Sequence, residues 1–428
     1  MTDSEDFAET PDLESRYSYM GWRIVLALFL VMAVLYGTAF YGFIIVMESL
    51  AAVHGWSSSQ SGSLVSALWL MCPLALASAP IINRVGAWRL LQIGLLLLTV
   101  AFLILPITTE FWQVYLLRLV TGAGKVFTLV AIPVIVAHWF SRRFSLAIAC
   151  AFCGGSFGGL VFAPATEVTT FAFGWQFASL ALAAALLVVL AIIAVLERYS
   201  TGHPHAQRLA RQIEAKSLDG RPILREQISH ISLLVATPMA IAVIFLGIGA
   251  ISYLIYVPKM LEAYGFSPTI AATLLGIAGI GAAAGNLIAG WTLDQTKANW
   301  TSIGAAIFIV VGLTVLNLLD GAPDFLLATA AVLLVGSGMG ACEILWLTLT
   351  KRQFGTDLFA VTYGGWSFFY QAGCVAAGTI GGAISATTTH SGFLVAIALL
   401  WTPVIALSLW RPGIRNEERP AIPATQTA

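Results

Sequence analysis

The chain has 428 residues, of which 59% are hydrophobic and 10% charged, and its 21 basic and 21 acidic side chains balance to a net charge of zero. That is too little charge for a water-soluble chain of this length, and no strongly basic tail offers a surface for nucleic acid. The five cysteines (Cys72, Cys150, Cys153, Cys342, Cys374) all fall in apolar stretches, so a secreted disulfide framework is excluded as well.

In chain order, residues 1–22 are acidic and polar. They lack the apolar core of a cleavable signal peptide and are expected to form a disordered cytoplasmic tail. Twelve apolar runs follow, near 23–50, 59–82, 88–107, 112–137, 144–168, 175–197, 236–261, 268–292, 301–319, 325–350, 358–385 and 391–410. Each suffices to cross roughly 30 Å of hydrocarbon as a helix, which satisfies its own backbone hydrogen bonds. The expected fold class is therefore an all-α membrane protein of twelve transmembrane helices. A polar segment divides the runs six and six. The expected units are an N-terminal six-helix bundle (23–197), a cytoplasmic linker (198–230), a C-terminal six-helix bundle (231–410) and a cytoplasmic tail (411–428). With the N-terminus inside, 18 of the 21 basic residues lie on the inner side. Lys259 falls outside, and Arg118 and Lys125 fall within the membrane. This asymmetry places both termini in the cytoplasm, here of a bacterial inner membrane.

The two halves echo each other. Gly122 and Gly124 recur as Gly336 and Gly338, 214 residues on, and Gly55-Trp56-Ser57 recurs as Gly265-Phe266-Ser267, 210 residues on. Parallel six-helix repeats form a substrate site near the midplane between them, so helices one, four, seven and ten are expected to line a shared cavity.

Charge inside the membrane marks the candidate site. Arg118, Thr121, Lys125 and Thr128 lie within about 60° of one face of helix four. Lys125 stands too deep to snorkel and is the candidate partner of a substrate's negative charge. For Arg118 a packing ion pair stands beside a substrate role. Glu343 on helix ten, with Trp346 and Thr350 near the same face, is the acidic counterpart, either titrating in a transport cycle or pairing structurally. Aromatic and polar side chains complete a pocket. They are Tyr36 on helix one, Tyr253 on helix seven, Asn286 on helix eight, and Trp366, Tyr370 and Gln371 on helix eleven with Tyr363 on the same face. Asp294 and Arg84, in the short inner loops, are the remaining coupling or gating candidates. The six histidines are scattered, and neither metal-ligand spacing nor a phosphate-binding loop occurs. No catalytic centre, metal or cofactor is expected, and the chain is not expected to be an enzyme.

Several motifs carry a family resemblance over essentially the whole chain. Arg118-x-x-x-Gly122-x-Gly124 resembles the fourth-helix motif of the major facilitator superfamily. "APIINRVG" (79–86) resembles its signature loop between helices two and three, with Asn83 where an aspartate is usual. "GWTLD" (290–294) is similar to the second copy and keeps the acid. More narrowly, "HGWSSSQSGSLVSAL" (54–68) and "HWFSRRFSLAIACAFCGGSFGGLVFAP" (138–164) are similar to the monocarboxylate and oxalate–formate transporter group. Some members of that group carry a substrate-binding arginine in helix eight and a basic residue in helix eleven. Here Asn286 stands where the arginine would be expected, and helix eleven has no cation, so the anion site does not transfer intact. The resemblance implies a monomeric secondary transporter of a small organic anion, working by proton symport or exchange in the lipid bilayer. A transporter or exporter of a neutral or aromatic compound is the alternative, and a membrane sensor without transport would need a soluble effector domain.

Overall fold

A computed structural model of the chain describes residues 14, 19–201, 233–295, 298–319 and 323–409. Most of the expected linker and both tails, with His203 and His205, lie outside these residues.

The described residues are helical almost throughout. The first helix, α1, spans Met20–His54 and carries a wider π-helical turn at Gly37–Gly42. Next, α2 comprises Ser58–Leu70 and Leu74–Val85, bent at Met71–Pro73. Then come α3 (Ala87–Ile107), α4 (Phe111–Trp139), α5 (Phe144–Phe173) and α6 (Trp175–Thr201). The second half begins with α7 (Leu233–Ala263), α8 (Pro268–Gln295) and α9 (Ala298–Asn317). A stretch Phe325–Thr387 is broken at Gly355 (φ 69°, ψ 176°) into α10 and α11, and α12 is His390–Leu409. Ten of these helices are long and apolar enough to span a bilayer, and α11 and α12 complete the twelve. Bulky apolar side chains such as Phe171, 94% exposed, cover the outside, as lipid contact requires.

The sequence echo is a structural repeat. Gly55 (φ 67°) and Gly265 (φ 102°) both take the left-handed conformation open to glycine. Two residues later, Ser57 and Ser267 accept from the backbone N–H of Gln60 and Ile270, capping α2 and α8 alike. A Cβ on Gly122 would stand 2.7 Å from the Leu68 carbonyl of α2, and one on Gly336 would stand 2.1 Å from the Ala278 carbonyl of α8. Without apolar expulsion by water, backbones in lipid are drawn together at such small residues, and both halves use the same contact.

The halves touch mainly at the end that carries the termini. There α5 packs on α8 and the inner part of α2 packs on α11. Asp294, at the end of α8, accepts the backbone N–H of Ser145 (3.0 Å) and Leu146 (2.9 Å) in the first turn of α5. Across the same seam Lys351 donates to the Phe140 carbonyl and Thr348 donates to Ser145 Oγ, while within the C-terminal half Arg352 donates to the Leu293 carbonyl next to Asp294. Orphan N–H groups at a helix start need acceptors, and here the opposite half supplies them.

The tail expectation needs one correction. Glu14 is docked: its carboxylate accepts from Ser141 N (2.9 Å), Ser141 Oγ (2.8 Å), Arg142 N (3.1 Å) and Arg143 N (3.0 Å) in the α4–α5 turn. Its carbonyl accepts from Trp22 Nε1, and the Tyr19 hydroxyl donates to the Trp139 carbonyl. A run of exposed N–H groups is an anion cradle, and a carboxylate 127 residues away in sequence occupies it.

Candidate functional site

The polar stripe of α4 divides by level. Arg118, 1% exposed, donates Nε to the Leu64 carbonyl of α2 (3.1 Å) and Nη1 to the Ala39 carbonyl of α1 (2.7 Å), and its guanidinium lies 3.8 Å from the Phe43 ring centre. Ala39 belongs to the π-helical turn, whose altered register presents a carbonyl sideways. Arg118 thus holds α1, α2 and α4 together through carbonyls and a ring, without the acid that an ion pair would need. Thr121 bonds back to the Leu117 carbonyl, and Thr128 packs on Gly94 of α3. The stripe is therefore not one open polar face.

Lys125 is different. Its side chain is fully buried, and its ammonium has no hydrogen-bond partner among the described residues. It lies 3.3 Å from the centre of the Trp69 ring of α2 and 5.8 Å from that of Phe40 on α1. A ring face attracts a cation, by about 2 kcal/mol when desolvated, which is less than a midplane cation costs in lipid. The ammonium is within electrostatic range of the thiols of Cys72 on α2 and Cys374 on α11, so it looks across the boundary between the halves.

The other half supplies a carboxylate and a stack of rings. Glu343 is partly exposed although it lies mid-helix. It makes no hydrogen bond or ion pair with the described residues, Lys125 included. It acts electrostatically on Tyr36 across the boundary and on Tyr363 and Tyr370 of α11. Trp346 stacks on Tyr363 (centroids 5.2 Å apart, planes at 19°) and on Tyr370 (6.4 Å, 19°), and Tyr363 stacks on Phe359 (5.6 Å, 9°). Below this ladder the Tyr363 hydroxyl donates to the Leu129 carbonyl of α4 (3.3 Å), forming a floor toward the termini. Above the floor, Tyr36, Phe40, Trp69, Glu343 and Tyr370 all keep exposed surface. The centre is thus tied shut toward the termini, and the five side chains above the floor are only part-buried.

Of the expected site residues, Lys125, Tyr36, Glu343 and Tyr370 come together in this cluster. The others stand elsewhere. Tyr253 is fully buried in the C-terminal bundle against Trp401 of α12 (6.2 Å). Asn286 packs where α8 meets Gly340 of α10, its Oδ1 without a partner among the described residues. Trp366 packs on Phe354 below the cluster with the rings tilted at 49°, while Gln371 donates to Ser367 and leaves Oε1 without a partner among the described residues. Asp294 lies at the closed end, and Arg84 is exposed on the same side. Sequence reasoning missed Trp69 and Phe40, which meet Lys125 only because α2 and α1 cross α4. A separate cleft of about 100 Å³ between the far ends of α7, α11 and α12 is lined by Tyr256, Lys259, Ser385 and His390. It does not reach the cluster.

Residues 27–378 match the family model described as Major Facilitator Superfamily. The chain belongs to the Major Facilitator Superfamily. Within it, the chain is 26% identical over 321 residues to monocarboxylate transporter 11 of Homo sapiens, covering 70% of this chain and 61% of that protein. It is 26% identical over 287 residues to monocarboxylate transporter 13 of Rattus norvegicus, covering 64% and 61%. The chain thus spans about three fifths of the curated relatives it matches. Among solved structures it is similar to the proton:xylose symporter XylE bound to 6-bromo-6-deoxy-D-glucose. The TM-score is 0.73 at 14% identity, over 92% of this chain and 95% of that one. It is also similar to FucP in the outward conformation, with TM-score 0.67 at 13% identity, over 91% and 99%. At these identities the superfamily fold is what is shared.

Proposed function

We propose that this superfamily transporter moves a small organic anion by alternating access, with Lys125 as the charge partner and Glu343 as the group that couples transport to a proton or to exchange. One observation carries the reading: a fully buried ammonium with no hydrogen-bond partner among the described residues, held by a ring face at the boundary between the halves. Ring faces attract cations without neutralising them, so a carboxylate entering this position gains a strong, charge-assisted contact. Lysine is a compact cation that exchanges partners readily, as a binding-and-release cycle demands. The names of the monocarboxylate transporters support the same substrate class. We place both termini in the cytoplasm of a bacterial inner membrane, from the basic residues on that side, and take the transporter to act as a monomer. Its closed end then faces the cytoplasm. The test is uptake into proteoliposomes of a panel of carboxylates and neutral aromatic compounds, by the native chain and by Lys125→Ala. Selective loss of carboxylate uptake with Lys125→Ala, at unchanged folding, supports the reading. Normal affinity for an anion in that variant overturns it. A neutral or aromatic substrate is the second reading, favoured by Asn286 and by the lack of a cation on α11.

A further inference from the structure

Both walls of the central cluster are aromatic, and they come from opposite halves. On the N-terminal side, Tyr36 and Phe40 stack with centroids 4.8 Å apart and planes at 13°, and Phe40 meets Trp69 edge-on at 5.5 Å. On the C-terminal side, Trp346 and Tyr370 lie almost parallel. Tyr36 is within electrostatic range of Tyr370, and Glu343 is within range of both, so the two walls stand on either side of the boundary between the halves. Neither wall is finished. Trp346 is 5% exposed, yet its indole N–H has no hydrogen-bond partner among the described residues. Lys125, beneath Trp69, also lacks one. Buried donors of this kind are rarely left unpaired, and indole N–H groups usually find an acceptor when buried. The boundary therefore gathers two buried donors that want an acceptor and ring faces that can take a further ring.

Resting on the anion reading above, we infer that the cargo is a planar aromatic monocarboxylate. Its ring enters between Tyr36–Phe40 and Trp346–Tyr370, and its carboxylate replaces the face of Trp69 on Lys125. Trp69 is then a specificity-determining lid. In the empty site its ring holds the ammonium at 3.3 Å. An incoming anion must displace it, and a ligand with its own ring recovers the lost stacking, whereas a short aliphatic acid does not. Offset or parallel ring pairs favour an aromatic over a saturated partner of equal size, and two such contacts amount to a preference of about tenfold.

The test is calorimetric binding to the purified full chain, using pairs matched in size and charge: benzoate against cyclohexanecarboxylate, and phenylacetate against cyclohexylacetate. Lactate and benzamide complete the panel. The expected result is that each aromatic acid binds about tenfold more tightly than its saturated partner, and that Trp69→Leu and Trp346→Leu erase the preference while retaining binding. Thermal unfolding of each variant controls for folding, and the native chain alone decides the main point. Equal affinity within the pairs, or no binding by any acid, overturns the inference. Lysine-dependent binding of lactate without ring preference overturns it while leaving the anion reading intact. Benzamide binding as tightly as benzoate, unaffected by Lys125→Met, overturns both.

Discussion

Arg118 and Lys125 lie two turns apart on α4, both cations and both closed to solvent, yet their surroundings differ in kind. At the Arg118 level two carbonyls and a phenyl ring meet the guanidinium, and three helices of one half converge on it. At the Lys125 level the ammonium lies on the face of Trp69 with no hydrogen-bond partner among the described residues, and the groups beyond come from both halves, Phe40 and Cys72 from its own and Cys374 from the other. A buried cation whose donors are matched within one rigid bundle holds shape. One left unmatched where two bundles meet is available to a ligand. The difference follows from the side chains themselves. The guanidinium fork can reach two carbonyls at fixed angles, whereas the ammonium is a point charge that tolerates changing partners.

The sharpest way to break this contrast is to remove each cation in turn. Lys125→Ala is expected to lower uptake of an anionic substrate at least a hundredfold in proteoliposomes, with thermal unfolding little changed. Arg118→Leu is expected to do the reverse to stability. It removes the two charge-assisted hydrogen bonds to the carbonyls of Leu64 and Ala39, at about 1.5–3 kcal/mol each, and it loosens the π-helical turn of α1. Equal loss of stability in both variants would mean that both cations are structural. Lys125→Arg is the finer probe, because the larger planar fork cannot lie over Trp69 in the same way. Reduced affinity without reduced stability is expected.

Glu343 is the carboxylate counterpart of Lys125: unpaired, partly exposed and on the opposite half. Glu343→Gln keeps its shape and removes its charge. If Glu343 carries the proton, uptake is expected to fall about a hundredfold, the lower end for a positioned proton-transferring group, and to lose its dependence on pH. Uptake and pH profile both unchanged at equal expression would leave Glu343 as a structural group only.

Much of this was legible in the sequence, for identifiable reasons. Helix number follows from run length against membrane thickness, and the repeat from Gly122/Gly336 and Ser57/Ser267, which perform the same backbone tasks in each half. The depth of Lys125 and Glu343 is likewise a matter of counting residues. The contact partners were not legible. Trp69 meets Lys125 through the crossing of α2 over α4, and no spacing along α2 distinguishes it from a lipid-facing tryptophan. Tyr253 reads as a site aromatic on α7, but it turns inward onto Trp401 because its helix face packs on α12. Glu14 sits in an acidic stretch without periodicity, and its role depends on a cradle formed by residues 141–143.

Matched groups at the closed end extend the contrast. Asp294 joins the halves directly through the N–H groups of Ser145 and Leu146. Asp294→Asn retains one acceptor oxygen but sets an amide against a second donor, and it removes the charge that complements the start of α5. It is expected to shift the conformational balance toward opening at the termini side by about tenfold, roughly 1.4 kcal/mol. The readout is the labelling rate of Thr348→Cys, a buried position at the same seam, by an impermeant maleimide applied from that side. Unchanged labelling would restrict Asp294 to helix capping.

Glu14 should give the smallest effect in the same assay, because it joins two segments of one half. Its four acceptor contacts hold the turn 141–143, and that turn follows Phe140, whose carbonyl receives Lys351 from the other half. Loss of the carboxylate therefore acts one step away from the seam: the turn loosens, and the Phe140 carbonyl is less well placed for Lys351. Hydrogen bonds to a charged acceptor contribute about 1.5–3 kcal/mol each when buried, but water can replace much of this at a helix end near the membrane surface. A net shift of about 1 kcal/mol, or roughly fivefold in the balance, is the reasonable scale. Glu14→Ala should raise Thr348→Cys labelling by that factor and leave affinity for substrate in the central cluster unchanged. An altered affinity with unaltered labelling would show that the segment acts on the site itself, and the division between matched groups that hold shape and unmatched groups that meet ligand would fail at this residue.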